Sequence, residues 1–124
     1  VLAILASKLG AGKVEGVDIE KPAVENAIEN ARNNSAESIA FSLGDASAMD
    51  GKMYDMILAN INKNILKAAM NQFAASLKEN GDLLLSGFFV TDAEELRIEA
   101  KGFEFVELKN SGEWAMLHLR RKTI

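Results

Sequence analysis

Residues 13–27, KVEGVDIEKPAVENA, run from a short apolar stretch through a carboxylate straight into a helical pattern. Val14 to Val17 has the length and composition of a buried strand. Pro22 stands where the first turn of a helix tolerates a ring. Val24, Ala27, Ile28 and Ala31 then recur at helical spacing until Asn33 and Asn34 end the segment. This is one strand-to-helix step, with Asp18 at the tip of the strand. What an acid in that position holds is the functional question.

The same step repeats on either side. Upstream, Val1 to Leu9 reads as a largely buried helix closed by Gly10 and Gly12. Downstream, Ile39 to Leu43 is a strand stopped by Gly44 and Asp45, and Asp50-Gly51 is a turn. Tyr54 to Asn60 is the next strand. The helix after it covers Lys63 to Leu77, with Ile65, Leu66, Ala69, Phe73 and Leu77 along one face. Asn80-Gly81 breaks that helix, and a strand runs from Asp82 to Ser86. A further helix covers Asp92 to Lys101, with Thr91 or Asp92 as its N-cap. Repeated steps of this kind call for a parallel sheet covered by helices.

The ending changes character. Phe103 to Leu108 and Trp114 to Leu119 are joined only by Lys109 to Gly112 and the residue after it, too few for a crossover helix, so these strands are antiparallel. The expected fold is α/β: a doubly wound, mostly parallel, Rossmann-like sheet ending in an antiparallel hairpin, in one domain over 1–124. Doubly wound nucleotide-binding folds open on a strand and a glycine-rich turn, whereas this sequence opens on a helix. The first strand is therefore expected to be absent. Its place would be at the centre of the sheet, and two inner strands would lack a partner. Dimerisation through that gap, non-native pairing across it or low stability is the expectation.

Composition narrows the function. The 124 residues are 48% hydrophobic with a net charge of −4, which fits one globular domain. Basic residues are scattered apart from Arg120-Arg121-Lys122, so a direct nucleic-acid partner is not expected. No apolar run approaches the length of a membrane span, and VLAILASKLG lacks the basic lead and cleavage-like end of a signal peptide. There are no cysteines, which removes disulfides and thiolate chemistry and suits a cytoplasmic protein. The single histidine, His118, cannot make a metal site by itself.

Ligands of open α/β sheets bind outside the carboxyl ends of the strands. Asp18 sits at such an end and can accept hydrogen bonds from both hydroxyls of a ribose, with Ile19 packing against an adenine ring. Asp45 follows the next strand and can accept from the exocyclic amine of adenine. The local alternatives are that Asp18 caps the helix after it and that Asp45 caps a turn. Two acids at neighbouring strand ends suggest an adenosine, and NAD and S-adenosylmethionine both contain one. A nicotinamide-dependent oxidoreductase lacks support elsewhere, since the lone tyrosine, Tyr54, belongs to no Tyr-x-x-x-Lys pair.

Taken together, KVEGVDIEKPAVENAIENARNN, YDMILANI, ENGDLLLSGF and GFEFVELKNSGEWAMLHLRR resemble the ribosomal protein L11 methyltransferases, which are class I enzymes. The likeness covers nearly the whole chain, and ANI with GEW is its most specific part. The resemblance implies S-adenosylmethionine as cofactor, with Asp18, Ile19, Asp45 and Asn60 in its site. It also implies methyl transfer to lysine side chains and an N-terminal amine of ribosomal protein L11, the substrate partner. The resemblance also implies a glycine-rich motif and a separate substrate-recognition domain, neither of which is expected within residues 1–124.

Asn60 is the candidate catalytic residue. Its amide and the nearby Ile61 carbonyl can accept hydrogen bonds from an amine and aim its lone pair; the alternative is an Asn that closes a turn. Methyltransferases acting on flat amides or bases often carry Asn-Pro-Pro-Tyr at this point. Here the run is Asn60-Ile61-Asn62-Lys63, which fits a flexible aliphatic amine better. Ser86 and Gly87 are candidate pocket residues, and Trp114 is either a hairpin anchor or a substrate contact. Two other readings stay open: a class I methyltransferase with a small-molecule or different protein substrate, and an inactive fragment.

Overall fold

Ten helices and strands follow one another in the order the sequence pattern calls for, in a computed structural model that describes residues 2–122. Val1, at the head of the expected first helix, lies outside the described residues. The chain divides into two compact units that meet between Ala48 and Met49.

The first unit opens with helix α1 (Leu2–Lys8), followed by strand β1 (Glu15–Asp18), helix α2 (Lys21–Asn33) and strand β2 (Ala40–Leu43). β1 and β2 pair in parallel, Glu15 opposite Ala40 through Asp18 opposite Leu43. Parallel pairing requires a crossover, and α2 supplies it. Pro22 lies in the first turn of α2, as its fixed φ and missing N–H allow. Ala31, Ala36 and Ile39 form the buried centre, with Ala3, Ile4, Val14 and Phe41 packed around it. Gly16 belongs to that packing, because a Cβ there would lie 2.5 Å from the Phe41 ring.

The second unit contains strand β3 (Tyr54–Asn60), helix α3 (Lys63–Ser76), strand β4 (Leu77–Phe89), helix α4 (Ala93–Glu99), strand β5 (Phe103–Ser111) and strand β6 (Trp114–Arg121). Its sheet has the order β3-β4-β6-β5. β3 and β4 are parallel, while β6 runs antiparallel to both β4 and β5. The terminal hairpin is therefore in place, with β6 turned inward between β4 and β5. Its strands run further than the sequence pattern suggests, as Ser111 still pairs with Trp114, leaving only Gly112 and Glu113 in the turn. Gly112 has φ +60°, which glycine adopts at no steric cost.

The core of this unit lies between the sheet and its two helices. Leu83, Leu85, Leu117 and Leu119 alternate on the strands at 0–1% exposure, and Leu66 of α3 and Leu96 of α4 are equally buried. Burying one such leucine contributes about 1.5–3 kcal/mol. The buried stripe of α3 is Leu66, Ala69, Met70 and Phe73, so Met70 replaces Ile65, which is 44% exposed. Met53 and Met56 are exposed as well. No helix among the described residues is long and apolar enough to cross a membrane.

Candidate functional site

In the first unit, the two acids stand at the ends of paired strands. Asp18 is the last residue of β1 and lies opposite Leu43, and the Gly44 N–H donates to the Asp18 carbonyl at 2.8 Å. Asp45 follows immediately. The Asp18 side chain is exposed, and its Oδ1 accepts from the Glu20 N–H at 2.9 Å. That bond closes a short turn into α2, whose N-cap Glu20 makes no side-chain cap of its own. The turn thus fixes the carboxylate through one oxygen. Ile19 beside it is 63% exposed.

Asp45 is held more tightly. Its Oδ1 accepts from both the Ser47 hydroxyl, at 2.6 Å, and the Ser47 N–H, at 2.9 Å. These two bonds keep its carboxyl below the ordinary carboxylate value. They also start a single 3-10 turn over Ala46–Met49, an element the sequence pattern did not announce. Both acids combine the local capping role with a second carboxylate oxygen that is outside these bonds.

In the second unit, β3 delivers Asn60 to the carboxyl edge of the sheet, opposite Ser86. The Ile61 N–H still donates to the Ser86 carbonyl at 3.2 Å, so the backbone is fixed one residue past the strand. The helix cap is made by Asn62, whose Oδ1 accepts from the Ile65 N–H at 3.0 Å. Asn60 itself has no part in that cap.

Asn60, Ile61, Asn62, Ser86, Gly87, Trp114 and Ala115 line one open cleft of about 540 Å³. The strand end, the start of α3 and the final hairpin meet there. Gly87 shapes it. At φ +91° it forms a bulge in β4, and Phe88 rather than Gly87 takes the place opposite Ala115. Sequence reasoning ended the strand at Ser86 and so missed the bulge, although a glycine inside an apolar run was its signal. Trp114 comes from the tip of the hairpin, 56% exposed.

The remaining candidates lie elsewhere in the sheet. His118 Nε2 is 2.8 Å from Asp82 Oδ1, and Arg120 Nε donates to the same oxygen at 3.2 Å. This cross-strand cluster gives His118 a structural partner. Lys63, two residues beyond Ile61, bridges Asp92 at 3.2 Å and Glu95 at 3.1 Å, with Glu95 the stronger influence in raising its pKa. Asp92 serves α4 as N-cap by position only, since its carboxylate goes to Lys63 instead.

Residues 1–122 match the family model described as ribosomal protein L11 methyltransferase (PrmA). The chain belongs to the ribosomal protein L11 methyltransferase family. The methyltransferase from Bacteroides fragilis is 42% identical over 118 residues, 93% of this chain and 42% of that relative. The chain thus spans less than half the length of such a relative. The crystal structure of ribosomal protein L11 methylase from Lactobacillus delbrueckii subsp. bulgaricus superposes with a TM-score of 0.92 at 31% identity, covering 98% of this chain and 65% of that one. An RNA methyltransferase from Salinibacter ruber, in complex with S-adenosyl-L-homocysteine, shares the fold at a TM-score of 0.77 with 11% identity, over 98% of this chain and 73% of that one. In this chain the ANI strand end, the start of α3, Ser86 and Gly87 of β4 and the terminal hairpin build the cleft.

Proposed function

We propose that this chain is the catalytic part of an S-adenosylmethionine-dependent enzyme that methylates amino groups of ribosomal protein L11, lysine side chains and the N-terminal amine, in the cytoplasm. The observation that carries the reading is the side chain of Asn60: it stands at a strand end inside a cleft, and the capping work belongs to Asn62. Membership of the L11 methyltransferase family supplies the substrate class.

The cofactor supplies a methyl group on a sulfonium, which is already a good leaving group. What remains for the chain is binding and alignment. Asp18 and Asp45 are the residues that would hold the adenosine, each through the carboxylate oxygen that its local turn leaves open, with exposed Ile19 against the base. Charged hydrogen bonds of this kind contribute about 1.5–3 kcal/mol each. Asn60 and the carbonyl of Ile61 accept N–H bonds from the incoming amine and point its lone pair. Alignment alone can supply several kcal/mol, on the order of 7, of a barrier. The cleft needs no histidine or cysteine for this work.

Mass spectrometry of L11 incubated with the chain and S-adenosylmethionine tests the reading. Methylation of lysine or the N-terminal amine, lowered at least about tenfold by Asn60→Ala, supports it. Methylation of other substrates but not of L11 would move the chain to a different class I methyltransferase.

A further inference from the structure

We infer that Phe89 is a positioning residue for the Asn60 cleft: its ring sets the plane of Trp114, and the paired rings present an aromatic wall to an aliphatic ammonium group. The inference rests on amino groups being the substrates of this cleft.

The wall is a product of the bulge. Before it, β4 and β6 pair with Asp82 opposite Arg120 and Ser86 opposite Met116. Continued without interruption, that register would set Phe88 opposite Trp114. The extra residue, Gly87, advances it by one, so Phe88 faces Ala115 and Phe89 faces Trp114. Side chains alternate between faces, so the shift sends Phe88 into the core at 2% exposure and leaves Phe89 outside at 43%. Phe89 and Trp114 then meet with ring centroids 4.6 Å apart and planes inclined at 32°.

Two large rings kept outside the core, in contact with each other and at the rim of a cleft, suit a ligand surface. Trp114 lines the cleft and Phe89 does not, so Phe89 acts through its neighbour. The other side chains of the cleft are neutral hydrogen-bonding groups, Asn60, Asn62 and Ser86, with the apolar Ile61 and Ala115. Among the described residues, no lysine or arginine lines it to repel a cation. The face of an indole attracts ammonium groups, and methylated ones retain that attraction because they remain cationic. The wall therefore recognises the amine while it is protonated, as it arrives, and again as the methylated ammonium product. Once the proton has left to solvent through the open cleft, Asn60 and the Ile61 carbonyl hold the neutral amine by its N–H bonds.

Trp114 is the only tryptophan in the chain, so its fluorescence reports on the wall directly. Choline serves as the cationic probe and 3,3-dimethyl-1-butanol as its uncharged isostere. Choline should change the emission saturably, with the alcohol about tenfold weaker. Phe89→Ala should shift the emission maximum and weaken choline binding about threefold or more, and Phe89→Tyr should restore both. Circular dichroism checks that each variant is folded, and Phe89→Leu is read in the same way if the alanine variant is not. In the methylation assay, Phe89→Ala should raise KM for the amine with little change in kcat. Unchanged emission and unchanged choline binding in a folded Phe89 variant would overturn the inference, as would equal responses to choline and its isostere. The fluorescence assay contains no cofactor. Loss of the wall with methyl transfer intact would refute this inference alone, whereas choline binding without methylation of L11 would count against the proposed reaction.

Discussion

Asn60 Oδ1 lies 2.7 Å from the point at which a Cβ on Gly87 would sit, so the Asn60 amide occupies space that only a glycine leaves open. The Ile61 carbonyl is 2.8 Å from the same point. Both groups assigned to the amine thus depend on the missing side chain of a residue on the neighbouring strand.

Gly87→Ala should be costly for two separable reasons. The φ of +91° disfavours any L side chain, at about 1–3 kcal/mol. The added methyl must also displace Asn60 or the backbone at Ile61. Urea denaturation should show the loss of stability. Methyl transfer should fall by more than the unfolded fraction explains, because the amide is displaced even in folded molecules.

Asn62→Ala should destabilise the start of α3. The Asn62 side chain satisfies the Ile65 N–H, and loss of such a cap typically costs about 0.5–2 kcal/mol. Since Asn62 also lines the cleft, Asn62→Asp or Asn62→Ser, which can still cap, separates stability from catalysis. Stability should recover in those variants when measured by thermal melts.

Asp82 should give the chain part of its acid sensitivity. Partial burial pushes its carboxyl up, but the hydrogen bonds from His118 and Arg120, with the Arg120 charge, outweigh this and hold it below 3.8. The unfolded chain therefore takes up the proton first as pH falls. The stabilisation is complete above the ordinary carboxylate value and is lost as pH falls through the lower folded value. Asp82→Asn should flatten that acid limb of the stability curve. At neutral pH it should cost at most about 1 kcal/mol, since the cluster is partly solvated.

The βα steps and the closing hairpin were legible because each rests on local signals: apolar period, a helix-ending pair such as Asn33-Asn34, and a link too short for a crossover. Asn60 was legible as a strand-end residue for the same reason. Asn80-Gly81, by contrast, does not end α3, which stops at Ser76, but lies inside β4. What escaped depends on contacts distant in sequence. The Gly87 bulge is defined by the register against β6, so the strand appeared to end at Ser86 while it runs on to Phe89. The start of β4 at Leu77 likewise comes from its pairing with Tyr54. Asp92 looked like a capping residue until Lys63, 29 positions earlier, claimed its carboxylate. Ile65 fits the helical period as well as Met70 does, and only the packing of α3 decides between them.

Calorimetric titration with S-adenosylhomocysteine, with NAD as control, decides whether the two strand-end acids hold an adenosine. Asp18→Asn keeps an acceptor for the Glu20 N–H and removes the charge, whereas Asp18→Ala removes both. The expected result is saturable binding of S-adenosylhomocysteine, no binding of NAD, and an affinity lowered about tenfold or more by Asp18→Ala, with Asp18→Asn also weakened although its turn is intact. Binding of NAD alone, or S-adenosylhomocysteine affinity indifferent to both substitutions in folded protein, would contradict it.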